Sequence, residues 1–418
     1  MANKPRIRFK GFTEDWEQRK LTDIAKTFIG LVTTMTENYR DSGTLLIRNS
    51  DIKEGQFIFS EKPIHLDEEF AEKNKTRRLQ IGDVVTVHTG DIGTSAVIKE
   101  KEAGAIGFAT INTRTDKRLL NPYFLSTYFN TKKHKCYANS VSTGDGRSNY
   151  NIKDFNKLVI SIPTLDEQEK ISALINNINT IITLHQCKLE KLKLTKKTLL
   201  QKLFPKNGKH IPEIRFKGFT DAWEQRKLGD LIFLNGRIGF RGYTEADIVS
   251  KDEGGVLTFS PTNIVDNQIT IKCKNTYITR LKYDESPEIK IYNGDILFVK
   301  TGSTLGKSAL VKDVFEDATL NPQVVVMRPN NLDSKFLSVM MLTDNIASQV
   351  RKSRIGGAVP TLTESNIKSF DTLIPKNDEE AQKIGKIFGS LDHVITLHQR
   401  KLERLQEVKK GLLQKMFV

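Results

Sequence analysis

Residues 181–204 read IITLHQCKLEKLKLTKKTLLQKLF and return at 394–417 as VITLHQRKLERLQEVKKGLLQKMF, identical at 16 of 24 positions. The first copy and the residues before it keep the spacing of a coiled-coil seam at Ile171, Ile175, Ile178, Ile182, His185, Leu189, Leu192, Lys196, Leu199 and Leu203. The second repeats that seam at Ile384, Phe388, Leu391, Ile395, His398, Leu402, Leu405, Lys409, Leu412 and Met416. Each run follows an Ile-Pro pair and starts with Thr164 and Glu167, or Asn377 and Glu380, at capping-box spacing. No proline intervenes before Phe204 or Phe417, which predicts helices of about 40 residues, roughly 60 Å long at 1.5 Å per residue. Helices of that length exceed what an ordinary domain uses, and two such seams in one chain are expected to pair.

A parallel, in-register pair would stack Lys196 on Lys409, two ammonium groups in a partly buried layer without an acceptor. Antiparallel pairing avoids that layer, and efficient crosslinking of cysteines placed at 196 and 409 would refute it. The register stays open. One centring sets His185 near Lys409, whereas the full seam sets each against an apolar residue.

A second repeat precedes the helices. Residues 5–24 (PRIRFKGFTEDWEQRKLTDI) return at 212–231 (PEIRFKGFTDAWEQRKLGDL) with 15 of 20 positions identical, while the residues between opening segment and helix scarcely match. Two like frames around two unlike fillings predict one task performed at two places with different specificity. The expected boundaries are 1–163 for the first filling with its opening segment, 164–204 for the first helix, 205–375 for the linker and second filling, and 376–418 for the second helix. The linker falls at PKNGKHIPE, residues 205–213, where Pro, Gly and Lys break the helical pattern. In each opening segment, Trp16 or Trp223 is expected in a local core, and Leu21, Ile24 and Phe28 suggest a brief helix.

The 418 residues carry 65 Lys and Arg against 50 Asp and Glu, a net charge of +15, which favours DNA or RNA as partner over a membrane. No apolar run reaches the ~18 residues of a membrane span and Met1–Lys10 is charged, so a soluble, cytoplasmic protein is expected. Cys136, Cys187 and Cys273 lie far apart and support neither a disulfide framework nor a zinc site.

The fillings read as short strands and turns, with β-branched stretches such as DVVTV at 83–87 and DILFV at 295–299 and few segments long enough for a helix. A thin skeleton is shared. RNSDI at 48–52 takes the place of PTNI at 261–264, and GDVVTVHTGDIGTSAVI aligns with GDILFVKTGSTLGKSALV. The expected fold class is α+β: two α/β domains rich in short strands, separated by two long helices forming an antiparallel coiled coil, with a pseudo-two-fold internal repeat.

Several motifs fail on inspection. TGSTLGKSALV at 301–311 is one residue short of a phosphate-binding loop, and the first filling has TGDIGTSAVI there without the lysine, so the shared feature is a glycine turn between strands. Asn121-Pro122-Tyr123-Phe124 has one proline where an adenine methyltransferase has two, Glu288 and Lys290 form only a chance-level nuclease triplet, and the histidines form no metal motif. No self-contained active site is visible, which argues against a stand-alone DNA-modifying enzyme; a pure coiled-coil adaptor remains a second alternative.

The turns make better base-reading loops. Candidates are Arg48, Asn49, Asp51, His88, Thr89, Asp91, Arg147 and Asn149 in the first filling, and Ser260, Thr262, Asn263, Lys300, Thr301, Ser303, Lys307 and Arg354 in the second. Arg, Lys and Asn can reach base edges bidentately, while Ser, Thr and Gly permit close approach to phosphate. A solvated loop side chain is the ordinary alternative for each. The lysines at 188, 191, 193, 196, 197 and 202 suit solvated or partner-facing helix surfaces, with some backbone contact to DNA.

Two fillings, each preceded by RFxGF…W…L and followed by a Pro-led, Glu-containing long helix (IPTLDEQEKI; the second copy departs as IPKNDEEAQKI), resemble the specificity subunit of a type I restriction-modification enzyme. The resemblance spans essentially the whole chain and rests on its architecture. It implies two target recognition domains that read a bipartite, asymmetric site on double-stranded DNA. It further implies helices that dock two modification (methyltransferase) subunits, and a larger complex with restriction/translocase subunits. It implies no catalysis and no cofactor on this chain, with S-adenosylmethionine, ATP and magnesium (Mg) used by the partner subunits.

Overall fold

A computed structural model describes residues 4–33, 35–144, 148–206, 208–271, 274–314, 316–357 and 359–417. The chain forms two compact units, Met1–Cys187 with Gln399–Val418, and Lys188–His398. The long helices span Leu165–Lys202 and Asp378–Lys415, 38 residues each, and both units contain a part of each.

In the first unit, Ile171 and Leu174 near the start of one long helix share a core with Leu412, Leu413, Met416 and Phe417 at the end of the other. In the second unit, Leu199, Leu203 and Phe204 pack with Ala381, Ile384 and Phe388. Start therefore meets end in both, the antiparallel order. Lys196 Nζ donates to Asp392 Oδ1 at 2.5 Å, which settles the register in the second unit. Lys409 lies 3.4 Å from Glu54 Oε2 within the first unit, so each seam lysine has its own carboxylate.

The repeated frame is locked by one device used twice. Arg8 Nε and Nη2 donate to Glu167 Oε1 and Oε2 at 2.8 and 2.7 Å, and Arg215 makes the same fork with Glu380 at 2.8 Å for both bonds. These glutamates, expected to close capping boxes, are taken instead by guanidinium groups, because a charged bidentate acceptor is worth more there than a cap. The Ile7 N–H donates to the Lys415 carbonyl at 3.0 Å and the Ile214 N–H to that of Lys202 at 2.9 Å. Trp16 packs edge-on to Phe124 and Phe417, and Trp223 to Phe336 and Phe204, with ring centroids 5.7–6.0 Å apart. Both tryptophans are buried in local cores. Leu21–Ile24 is the brief helix, but Phe28 belongs to the strand Ala25–Ile29 that follows.

Each filling has a corresponding pair of sheets. In the first unit, Ala25–Ile29, Thr110–Thr115, Val84–Val87 and Ser95–Val97 form an antiparallel sheet in that order. Ile232–Gly236, Val324–Pro329, Ile296–Val299 and Ser308–Leu310 repeat it in the second, extended by Gln268–Ile269 and Ile264–Val265. A second four-stranded sheet in each unit mixes one parallel pairing with antiparallel ones.

The expectation of few helices in the fillings is corrected by Pro122–Phe129 and Lys132–Ser140, and by Ser334–Met340 and Asp344–Ser353. Seven of the eight residues of Pro122–Phe129 are buried, so it lacks the polar face that marks an amphipathic helix. The methyltransferase-like Asn121 is its N-cap, accepting from the Tyr123 and Phe124 N–H groups at 2.9 and 3.2 Å. Asp333 caps the second copy through the Phe336 N–H at 2.8 Å.

Candidate nucleic-acid interface

In both units a glycine turn joins two strands and rests on the second filling helix. Gly93 and Gly306 have φ of +82° and +87°. A Cβ on Gly93 would sit 3.1 Å from the His134 ring and one on Gly306 3.0 Å from Val350, so the close approach requires glycine. Ser308 opens the strand Ser308–Leu310, paired antiparallel with Ile296–Val299, so no helix receives a phosphate there. The turn is zipped to a loop: the Tyr150 N–H donates to the His88 carbonyl at 2.9 Å, and the Leu362 N–H to that of Lys300 at 2.8 Å. Thr143 pairs with Asn149 in one loop and Ile355 with Thr361 in the other. Thus His88 and Lys300, Thr89 and Thr301, Asn149 and Thr361 occupy equivalent places with different chemistry.

The other turns are Asn49–Asp51 and Pro261–Asn263. Asn49 Nδ2 donates to the Ala109 carbonyl at 3.1 Å and its Oδ1 accepts the His88 N–H at 2.9 Å, which ties this turn to the glycine turn. In the second unit Asn321-Pro322-Gln323 makes that link. The Asn321 N–H donates to the Phe259 carbonyl at 2.9 Å and the Lys300 N–H to that of Gln323 at 2.8 Å.

The candidates therefore divide. Asp51 and Asn263 are buried, 4% and 1% exposed, and hold their turns together. Asp51 accepts Arg48 Nε and Nη2 at 3.1 and 2.9 Å, which keeps that guanidinium charged and engaged. Asn263 Oδ1 accepts the Ser260 N–H at 2.9 Å and its Nδ2 donates to the Thr270 carbonyl. Arg48, Asn49, Asp51 and Asn263 thus shape the loops rather than face outward freely. Thr89 Oγ1 donates to Asn149 Oδ1 at 2.8 Å, and His88 Nδ1 lies 2.8 Å from Thr89 Oγ1. Burial lowers the His88 pKa below its usual 6.5, which leaves the ring neutral near pH 7. Arg147 lies outside the described residues.

At the surface stand Asp91, which accepts Thr94 Oγ1 at 2.7 Å, and Thr262, whose hydroxyl lies 2.7 Å from that of Ser260. Lys300 is half-buried, 3.6 Å from Glu364, and Thr301 pairs with Thr361. Ser303, Lys307 and Arg354 are exposed. Sequence reasoning missed Gln323, Arg351 and Lys352, all exposed beside these turns. Asn-Pro-Gln between two apolar runs was an available turn signal. Glu288 faces Arg241 and Lys290 faces Asp284, so the nuclease-like triplet is spent in ion pairs. Among the described residues no cluster of three His, Cys, Asp or Glu is placed to hold a metal, and no helix is long and apolar enough to cross a membrane.

Exposed cations and short polar side chains on paired turns suit phosphate contact and groove reading. A family model described as the type I restriction modification DNA specificity domain matches residues 13–194 and again 220–407. The chain belongs to this family. Each match takes in most of one repeat, from the opening Trp through the filling into the long helix, so the protein is a type I specificity chain with two DNA recognition domains.

It is similar to the type I restriction enzyme MjaVIII specificity subunit of Methanocaldococcus jannaschii, 20% identical over 348 residues, 81% of this chain and 79% of that one. The MjaIX specificity subunit of the same organism is 22% identical over 412 residues, covering 96% and 93%. Among solved structures, the S subunit of a type I system from M. genitalium shares the fold at a TM-score of 0.67 and 13% identity, covering 99% of both chains. A chain solved in work on complex assembly and conformational transition of the type I system gives 0.51 at 16% identity, covering 96% and 97%.

Proposed function

We propose that each recognition domain reads one half of a bipartite, asymmetric DNA site and that the paired long helices set the gap between the halves. Carrying this reading is one observation: the same loop skeleton bears His88, Asp91 and Asn149 in one domain and Lys300, Ser303 and Thr361 in the other, so equivalent positions present different hydrogen-bonding groups. Unlike readers on like frames specify unlike half-sites. The duplicated opening segments and helices suit docking of two modification subunits in equivalent ways, with restriction/translocase subunits joining the larger assembly. The solved relative from work on complex assembly supports that docking. Catalysis is assigned to the partners in the cytoplasm, with S-adenosylmethionine, ATP and magnesium bound there. The loop nearest to a phosphate cradle supports this assignment, since it is a strand hairpin whose Lys307 is matched by Thr94 in the first domain.

Mapping methylated sequences genome-wide in cells with and without this chain tests the reading. A two-part motif present only with the chain is expected; a motif that persists without it would overturn the proposal.

A further inference from the structure

The loop that closes the second recognition face is chemically unlike its counterpart. Ile355 and Thr361 exchange two backbone hydrogen bonds of 2.8 Å, and the Gly302 N–H donates to the Pro360 carbonyl at 2.9 Å, so the loop tip stands beside the glycine turn. Ile355 is 58% exposed and Val359 59% exposed. In the first domain Thr143 takes the place of Ile355, and the intervening residues 144–148 are Gly-Asp-Gly-Arg-Ser in sequence, with no apolar side chain.

Two exposed β-branched residues on one loop offer an apolar contact to whatever this face meets. Their surroundings decide what. Arg351, Lys352 and Arg354 precede the tip, and the packing of Gly306 on Val350 brings Lys307 to the same helix end. All four are exposed and none makes an ion pair among the described residues. Four unneutralised cations around an apolar tip complement a polyanion whose groove has an apolar feature. In the DNA major groove that feature is the thymine 5-methyl group.

We propose that Ile355 and Val359 read the second half-site by apolar contact with a thymine 5-methyl group, with Lys307, Arg351, Lys352 and Arg354 on the flanking phosphates. The inference rests on the reading above that this domain binds DNA. It makes the second domain a reader of methyl groups and the first a reader of hydrogen-bonding edges at the equivalent loop.

Deoxyuridine substitution tests it. The full chain, assembled with its modification subunits, is titrated with its mapped site while each thymine of the second half-site is replaced singly by deoxyuridine, which removes only the methyl. At one position or more binding should weaken about fourfold, the value of one buried methyl. In Ile355→Ala/Val359→Ala that penalty should vanish, so that thymine and uracil sites bind alike. A second half-site without thymine, no penalty at any position, or an equal penalty in the variant would each overturn the proposal. An equal penalty is also what a loop wedged between base steps would give. If the alanine variant loses its thermal transition, Ile355→Ser/Val359→Ser, which leaves no methyl at either exposed position, carries the same comparison. A wild-type complex indifferent to the sequence of the second half-site would instead refute DNA reading by this domain.

Discussion

Truncation of Arg215 should destabilise the second unit far more than a surface ion-pair mutation does. The Glu380 carboxylate is 1% exposed and the Arg215 side chain 12%, and two bonds of 2.8 Å join them. Arg215→Ala leaves a buried charge unpaired, at a cost of about 3–5 kcal/mol. In a unit of the size of Lys188–His398, each kcal/mol moves Tm by about 2–4 °C, so a shift of roughly 6–20 °C is expected. Glu380→Ala should cost less, because the longer arginine can turn its head toward water. Arg215→Met/Glu380→Leu should recover most of the loss, since an apolar pair needs no counter-charge. Calorimetry with peptide-resolved hydrogen exchange would assign the loss to this unit. The reasoning fails if Arg215→Ala stays within about 1 kcal/mol of wild type, or if the double-mutant cycle shows no coupling between the residues.

Three further outcomes are expected. His134 is buried, with its Nδ1 2.8 Å from the Phe129 carbonyl, and burial pushes its pKa down to about 4. The unfolded chain takes that proton below about pH 6.5, so the first unit should lose stability as pH falls from 6.5 toward 4, by up to about 1.4 kcal/mol per pH unit. Ile346 takes this place in the second unit, and pH-dependent unfolding of His134→Gln should show a shallower slope, with half-buried His88 contributing to what is left; a slope unchanged would refute the assignment. Cysteines replacing Lys196 and Asp392 should be joined by a short bis-maleimide, read on a gel, because the native ion pair brings the two positions within linker reach. Lengthening both long helices by one heptad, ~10 Å, should widen the gap of the methylated motif by about three base pairs and leave both half-sites intact; an unchanged gap would show that the helices do not set it.

The long antiparallel helices were legible because a seam repeats over ten layers and because Lys196 and Lys409 cannot share one. Their carboxylate partners were not. Glu54 lies on a distant hairpin turn, and Asp392 was hidden at a position beside the seam. The glycine turn could be separated from a phosphate loop by comparing the two copies, and the hairpin of Ile296–Val299 with Ser308–Leu310 agrees. The filling helices escaped notice because PYFLSTYF is buried nearly all round and shows no face. Among the loop candidates, composition marked Arg48, Asp51 and Asn263 as readers but does not show the local hydrogen bonds that tie them into their turns, which short residues such as Asp51 and Asn263 form readily with nearby backbone. Ile355 and Val359 carry no hydrogen-bonding side chain, so nothing in the sequence sets them apart from ordinary apolar positions.

Exchanging residues 25–160 for the filling of another specificity chain, followed by genome-wide mapping of methylated sites, tests division of labour between frame and filling most directly. One half of the motif should change while the other half and the gap stay as they were. A motif altered in both halves, or in neither, would contradict it.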